Sequence, residues 1–437
     1  MGAIKLGLGP LAVTRQAPAW MGPFQLALDF RAGRYQLNRQ QVGLSRIDSL
    51  YHSRASARRA EDSAGVSREF ANGVMAVTDR GYDSREGWTN LIPNPLGTGA
   101  VVGVVGSGGA LPTGWYVNTS HGMTTQIVGV STVNGLPVIR FRVSGTSNGG
   151  FYELNLQPGA ASSPAILPSA AYNVSGYMGV VAGAFPASGE FGFTQRRADQ
   201  AQAVSVTLAN TVTLNATPVL TRFNVNLTSA ADAAFGRMRI TMSPSNGAAV
   251  DVTFDIAAPQ LTQTAYLMPF GSGTVAPDSI VVPAADAGLA VNPPLTVVWR
   301  GVPLSSAPSF ATLLEIRAAA NRRVSMFLRA NGTLGIGVLE GGGNNTITNT
   351  GSVWAGTETT VVSTIRPDGT TWTKVGSDAH VTRSGVVVPL PGASQFALGS
   401  DTARTTQCNS QIRIAAVGAF ALSDAEALNL FIAVAAS

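Results

Sequence analysis

Residues 237–242, RMRITM, and 251–256, DVTFDI, decide the fold class: each alternates a large apolar side chain with a polar one over six positions. A half-buried β-strand requires that period of two, because successive side chains leave opposite faces of the pleat. Working outward, Ile139, Phe141 and Val143 alternate with Arg140 and Arg142, and Phe223, Val225 and Leu227 with Arg222, Asn224 and Asn226. Asn134-Gly135, between two apolar runs, suits a tight hairpin turn that needs positive φ. These strands predict a β-sandwich over residues 88–275.

A second sandwich is predicted over residues 276–437. Leu295, Val297 and Trp299 alternate, which places Trp299 in a core, and Val324, Met326 and Leu328 run through Asn331-Gly332 into Leu334, Ile336 and Val338 as a hairpin. Arg366-Pro367-Asp368-Gly369 supplies another turn. Near the end, Ser423 and Glu426 fit a capping box, so a short helix follows, with Leu428 and Phe431 expected inward.

Composition agrees with an all-β chain. Of 437 residues only 12% are charged, while 49 are Gly and 24 are Pro, the profile of strands and tight turns rather than charged helices. Cys408 is the single cysteine, so stability must come from packing and assembly, not from an internal disulfide. The opening MGAIKLGLGPLAVTRQAPAWMGPF has an apolar run broken by Gly and Pro, which does not read as a signal peptide, and nowhere do about 20 apolar residues follow one another as a membrane span requires. The expectation is a chain made and folded in a bacterial cytoplasm, without a membrane partner.

Only Lys5 and Lys374 are lysines, so 27 of the 29 basic residues are arginine, and the excess charge gathers at the front: residues 1–90 hold twelve basic and eight acidic groups. Arg54, Arg58, Arg59 and Arg68 alternate with acids and come without a recognition helix or zinc motif, so an acidic protein surface fits them better than nucleic acid.

Enzyme signatures are missing. Neither lysine follows a glycine, so there is no Walker A loop, and the Gly103–Gly109 run leads into Leu111-Pro112 rather than a helix. His52, His121 and His380 lie far apart, against a metal triad or a nucleophile relay, and there is no Gly-x-Ser-x-Gly elbow. Glu153, Glu190, Glu315 and Glu340 could supply the two carboxylates of a glycosidase, but without the closely spaced acidic strand motif of a laminarinase-like sandwich. No catalytic residue, no metal site and no cofactor is assigned.

Residues 51–95, YHSRASARRAEDSAGVSREFANGVMAVTDRGYDSREGWTNLIPNP, place the chain in a context. Asp62-Ser63-Ala64-Gly65 is a turn composition, and short extended pieces flank it, giving a small β-rich connector or oligomerisation collar. Through Ser53-Arg54-Ala55-Ser56, Glu61 to Gly65, Thr78-Asp79-Arg80-Gly81 and Thr89-Asn90-Leu91-Ile92 the segment resembles one that recurs in spike and fibre proteins of tailed phages and gene transfer agents, with Tyr82 to Trp88 departing from that pattern. The resemblance implies that residues 1–87 anchor the protein to a particle and to its own copies, with Arg46, Arg54, Arg58 and Arg59 as anchoring candidates.

The middle sandwich resembles the jelly-roll carbohydrate-binding modules of polysaccharide-active enzymes and phage fibres, through Asn90 to Pro95, Leu111 to Trp115 and Ile256 to Leu261. In such relatives the sugar site lies on a concave sheet or at a loop edge. The closing Leu422-Ser423-Asp424-Ala425-Glu426, after Gln411 to Ile414, is similar to the last element of concanavalin A-like, laminin-G-type lectin domains. Glu358 to Val361 stand where that family's Trp-His pair is usual, so its calcium ligands do not carry over, and a structural calcium ion is neither required nor excluded.

Sugars present apolar C–H faces and many hydroxyls, so their sites pair an aromatic platform with planar polar groups. Trp115, Tyr116 and Tyr152 in the middle sandwich, and Trp354 and Trp372 in the last, are the candidate glycan platforms, each competing with a role in the core. The expectation is a virion protein that holds bacterial surface or capsular polysaccharide through several weak sites at once, with other virion proteins as partners and a trimer favoured over a pentamer. A non-binding spike base or collar that docks another fibre is the alternative, and a capsule depolymerase the third.

Overall fold

The computed structural model describes residues 17–118, 120–159, 163–186, 188–289, 294–304, 310–319, 322–329, 331–340, 343–352, 356–385, 395–400 and 408–437, with the backbone alone at 310, 340 and 343–352. Trp354 and the first sixteen residues lie outside that set. The chain is all-β, and its two large hydrophobic cores each fill a sandwich.

The middle sandwich packs a seven-stranded sheet on a five-stranded one. The larger runs Gly108–Gly109, Gly103–Val105, Thr124–Val133, Leu136–Thr146, Ala249–Thr262, Ala171–Gly183, Thr221–Thr228; the smaller runs Tyr116–Val117, Tyr152–Asn155, Phe235–Met242, Glu190–Arg196, Gln202–Asn210. Phe141, Val143, Val252, Phe254 and Ile256 of the first meet Phe191, Phe193, Met238, Ile240 and Met242 of the second, all 1% exposed or less. Burying each such side chain contributes about 1.5–3 kcal/mol. On the outer face of the larger sheet Arg140 reaches Asp255 at 2.7 Å and Arg142 reaches Asp251 at 2.8 Å, across neighbouring strands. The alternation that exposed these strands in the sequence is thus a core face and a charged face.

Asn134 and Gly135 turn the hairpin with φ of 50° and 76°. A side chain at Gly135 would run into the Ser67 carbonyl, because the hairpin tip is pinned to the Arg58–Glu61 and Ser67–Phe70 hairpin: Ser67 N–H donates to Asn134 O at 2.9 Å. The turn between those two strands is closed by Asp62, whose carboxylate accepts the Ala64 and Val66 N–H groups, and by Gly65 at φ 76°. The middle sandwich begins and ends on one ladder, Trp88–Thr89 against Thr274–Val275.

The last sandwich is where the structure departs from expectation. One sheet runs Gln40–Val42, Arg34–Leu37, Leu26–Asp29, Ser410–Gly418, Leu295–Pro303, Thr359–Ile365, Thr371–Val375, Val381–Arg383, with Gly81–Ser84 also on Ser410–Gly418. The other runs Gly343–Ser352, Thr333–Glu340, Arg322–Arg329, Phe310–Ala319, Gln395–Leu398, Ser279–Pro283, His52–Ser53. Residues 17–87 are therefore not a separate connector: Leu26 pairs Val417, Leu28 pairs Ala415, and Leu26, Leu28, Phe30, Tyr35, Leu37 and Tyr82 sit in one core with Trp299, Met326 and Phe396. All four residues of Leu26–Asp29 are buried, since this strand has the second sheet on one face and the layer around Ala27, Phe24 and Trp372 on the other. Pairing over nearly four hundred residues leaves no local pattern, which is why the front of the chain reads as a collar.

The turn at 366–369 and the 331–332 hairpin form as expected, with Gly369 at φ 76° and Gly332 at 78°. Ser423 caps the helix Asp424–Ala436 in a full capping box: its Oγ accepts the Glu426 N–H and Glu426 accepts its N–H at 2.8 Å. Phe431 turns inward, but Leu428 does not, being 41% exposed. The buried face is Ala427, Phe431 and Val434, spaced i, i+4, i+7, and Leu428 falls one residue off it. Ser423→Ala should cost about 1 kcal/mol, read as a lower melting temperature by circular dichroism; an unchanged temperature would mean that the cap does not hold this helix.

Candidate functional site

Exposure sorts the candidate platforms. Tyr152 is fully buried beneath Thr125 and His121, with its hydroxyl 3.4 Å from Thr125 Oγ1 and burial holding the phenol far above its ordinary pKa. Trp372 is 1% exposed in the layer under the C-terminal helix, and His380 stacks on it at 5.4 Å. Neither can offer a ring face to a sugar, so both are corrected to core residues; a large aromatic in a strand of period two points inward as readily as outward. Trp115 is 6% exposed, stacks on Phe141 at 6.3 Å and donates from Nε1 to Asn94 O at 3.2 Å, leaving only an edge toward solvent. Tyr116 stays half-buried, so part of its side chain reaches solvent. Trp354 lies outside the described residues.

Tyr116 belongs to the outer face of the five-stranded sheet, and that face is not an ordinary solvated one. Partners directly opposite one another share a face: Tyr116 with Asn155, Asn155 with Arg239, Arg239 with Gly192, and on the neighbouring rows Glu153 with Thr241 and Glu190, Arg237 with Thr194 and Ser205. Arg237, Arg239 and Thr241, the polar half of the RMRITM alternation, are only 6%, 9% and 4% exposed, and Asn155 and Thr194 are fully buried. Tyr116, Glu153, Glu190 and Arg196 are half-buried around them, and Phe151 stands at the edge, 40% exposed, with the Arg239 guanidinium 5.9 Å over its ring. The result is a largely covered polar face, here called the recess, with aromatic groups at its edge.

Its hydrogen bonds are incomplete. Glu153 Oε1, Asn155 Nδ2, Glu190 Oε1, Arg196 Nε and Arg239 Nε are buried atoms without a hydrogen-bond partner among the described residues. Buried polar atoms are ordinarily paired, and leaving one unpaired costs about 1–3 kcal/mol. Five such atoms lie on this one sheet face, where ordered water or a polar ligand would complete them. Burial, with the charge of Glu153 adding to it, keeps the Tyr116 phenol raised and protonated although Arg237, Arg196 and Arg239 pull the other way. Its hydroxyl therefore acts as donor and acceptor, 3.4 Å from Arg237 Nη1.

On the other side of Tyr116 a cleft of about 500 Å³ opens between the Gly103–Gly109 loop and the 115–125 segment, lined by Val104, Leu111, Trp115, Asn118 and His121 among others. His121 accepts the Met123 N–H on Nδ1 and donates from Nε2 to Asn118 O at 2.7 Å, and burial lowers its pKa, so it is a neutral structural imidazole. His52 is likewise hydrogen-bonded, at 3.1 Å to Asp278. Among the described residues no cluster of three or more His, Cys, Asp or Glu could hold a metal ion, and no helix is long and apolar enough to cross a membrane. Cys408 is buried, which pushes its thiol up to about 12 and leaves it unreactive.

The anchoring arginines divide in the same way. Arg54 and Arg58 are 4% and 2% exposed and enclose Asp278, at 2.9 Å and 2.8 Å, so they hold the last sandwich together instead of meeting a partner. Arg59 is engaged by Glu69 at 2.6 Å and by Gly135 O at 2.5 Å. Arg46, on the helix Leu44–Tyr51, remains exposed. The run of arginines read as a surface patch because local sequence cannot show Asp278, more than two hundred residues away.

The chain matches no protein-family model and no curated protein. Among solved structures, the K499G mutant of NanB sialidase from Streptococcus pneumoniae aligns with 19% identity and a TM-score of 0.30 over 33% of this chain and 25% of that one, so this chain spans about a quarter of the sialidase's length. The CBM40 of the Ruminococcus gnavus IT-sialidase, bound to α2,3-sialyllactose, aligns with 15% identity and a TM-score of 0.29 over 32% of this chain and 83% of that one. Domains LG4-5 of the mouse laminin α1 chain align with 11% identity and a TM-score of 0.25 over 66% of this chain and 90% of that one. The class that the sheets themselves define is a two-sandwich β-protein, with the recess on its middle module.

The sequence held one signal for the recess. Arg237, Glu153 and Glu190 all lie on strands whose other face is core, and a surface sheet that carries arginine on arginine, Arg237 and Arg239, without a facing run of acids is unusual. That their side chains are covered rather than solvated only the packing shows.

Proposed function

We propose that the protein binds a polysaccharide in the recess of its middle sandwich, with Tyr116 and Phe151 as apolar contacts and Glu153, Asn155, Glu190, Arg237 and Arg239 as hydrogen-bonding groups. The observation that carries this is the set of five buried, unpartnered polar atoms on one half-covered sheet face. Each hydroxyl of a sugar is both donor and acceptor, so neighbouring hydroxyls can pair with planar carboxylate and guanidinium groups without requiring a charge on the ligand. The resemblance of residues 51–95 to phage and gene transfer agent spikes and fibres supports the setting: a particle component that attaches to the surface or capsular polysaccharide of a bacterial host. Several copies on one particle would turn weak single sites into firm attachment. Particle proteins and its own copies are then its partners, with Arg46 the anchoring residue left exposed.

The test is retention of purified protein on capsulated and acapsular host cells and on isolated neutral and acidic surface polysaccharides. Tyr116→Ala should weaken retention by about 1 kcal/mol or more per site, the worth of a good aromatic contact, with its melting temperature kept. Binding that ignores the capsule and every polysaccharide removes the glycan reading and leaves a spacer that docks another fibre. Release of new reducing ends during incubation would make the recess hydrolytic instead. An image of intact particles that lacks the protein would remove the virion setting while leaving the recess in place.

A further inference from the structure

Arg237 lies at the floor of the recess, 6% exposed, and each of its three nitrogens meets a neutral oxygen: Nε the Ser163 hydroxyl at 3.1 Å, Nη1 the Tyr116 hydroxyl at 3.4 Å, Nη2 the Gln200 amide oxygen at 3.2 Å. Among the described residues no carboxylate comes within ion-pairing distance of it. A charge taken out of water without a counter-ion is costly, and folded proteins ordinarily pair one. Arg239, two residues along the same strand and on the same face, has Nε unpartnered and meets Glu153 at 3.8 Å, the loose end of an ion pair. Arg196 lies on the adjoining strand with its own Nε unpartnered and Nη1 on the Gln200 carbonyl at 2.8 Å.

The charge on this face does not close. Arg196, Arg237 and Arg239 are three cations, and Glu153 and Glu190 two anions, one of them two strands away from the other. Burial first, and then repulsion from Arg196 and Arg239, lowers the pKa of Arg237 in spite of attraction from Glu153. The outer face of the larger sheet in the same module is different: there Arg140 and Arg142 each hold a bidentate carboxylate of the chain itself, so surplus guanidinium is confined to the recess.

We propose that the ligand of the recess is an acidic glycan, whose carboxylate completes the Arg237 and Arg239 guanidinium groups while neighbouring hydroxyls reach Glu153, Asn155 and Glu190. This rests on the glycan-binding reading above and adds to it the chemical class of the sugar, one that carries a carboxyl group. Arginine suits a carboxylate because its planar fork matches two oxygens at once, and in a half-covered recess such a bond is stronger than at an open surface. The recess then gains on binding the counter-ion that it lacks when empty.

The probes are polygalacturonate, alginate, hyaluronate and polysialate, each beside its carboxyl-reduced or methyl-esterified form, which keeps the backbone and removes the charge. Retention of at least one acidic polymer about tenfold or more above its neutral form is expected, the size of one charge-assisted hydrogen bond, and it should weaken as salt rises. Arg237→Met, which keeps the buried volume, should bring binding of the acidic polymer down to that of the neutral one; Arg239→Gln, at the less buried site, should lower it without affecting the melting temperature, in case Arg237→Met fails to fold. Equal retention of acidic and neutral forms overturns this inference and leaves the glycan reading standing. Retention of no polymer, acidic or neutral, overturns both.

Discussion

Asp278→Ala is expected to destabilise the last sandwich by about 3–5 kcal/mol, because it removes the one carboxylate that holds two buried arginines and a histidine. Asp278 is fully buried, with Arg54 Nη1 at 2.9 Å, Arg58 Nη1 at 2.8 Å and His52 Nε2 at 3.1 Å. Arg58 also meets Asp83, which in turn holds Arg85 at 2.8 Å, so the cluster ties the 52–61 segment, Gly81–Ser84 and Ser279–Pro283 into one unit. Without Asp278 the Arg54 guanidinium stays buried with no carboxylate beside it, and Arg58 keeps only the longer contact with Asp83 at 3.4 Å. Denaturant unfolding, followed through the transition that exposes Trp299 and Trp372, measures the loss; a change under about 1 kcal/mol would mean that water reaches the cluster and screens it.

The same residue sets a pH dependence whose sign can be worked out. Burial opposes ionisation of Asp278, but Arg58, His52 and Arg54 outweigh it and hold the carboxyl below its ordinary value. A group with a depressed folded pKa contributes stability that is complete above its unfolded pKa, about 3.9 for aspartate, and is lost as the pH falls through the folded value. The wild type should therefore lose stability below about pH 4 faster than Asp278→Ala, in which that contribution is already gone.

Cutting the chain should give the larger contrast. A fragment of residues 276–437 is expected not to fold, whereas residues 88–275 alone, and the chain with 88–275 replaced by a short Gly-Ser link, should each fold. The fragment lacks the strands Leu26–Asp29, Arg34–Leu37 and Gly81–Ser84, and with them Leu26, Leu28, Phe30, Tyr35, Leu37 and Tyr82 of its core. At about 1.5–3 kcal/mol for each buried side chain, the loss of these six is about 9–18 kcal/mol, as large as the whole stability of an ordinary domain, about 5–15 kcal/mol. The middle module keeps its own core, and Trp88 pairs Val275, so its two ends lie side by side and the gap is easily bridged. A cooperative unfolding transition and dispersed amide resonances from 276–437 alone would show that the front of the chain is an appendage after all.

Residues 88–275 carry Tyr116, Arg237 and Arg239 with the core beneath them, so loss of polysaccharide retention through Arg239→Gln can be checked against an unchanged melting transition of that module.

What the sequence determined by itself is local and periodic. Alternation in RMRITM and DVTFDI fixed strands and their core faces, since each strand must bury every second side chain whatever it pairs with. Asn134-Gly135, Arg366 to Gly369 and the Ser423–Glu426 box formed as their backbone chemistry requires, because turns and caps are settled within a few residues. The tertiary structure decided everything that rests on distant partners. It placed Leu26–Asp29 beside Ser410–Gly418, turned Arg54 and Arg58 from a surface patch into the counter-ions of Asp278, buried Tyr152 and Trp372, and covered the polar side of Phe235–Met242 to leave Arg237 short of a carboxylate. Long-range burial changes what a charge or an aromatic ring can do, and no window of the chain shows what will come to lie over it.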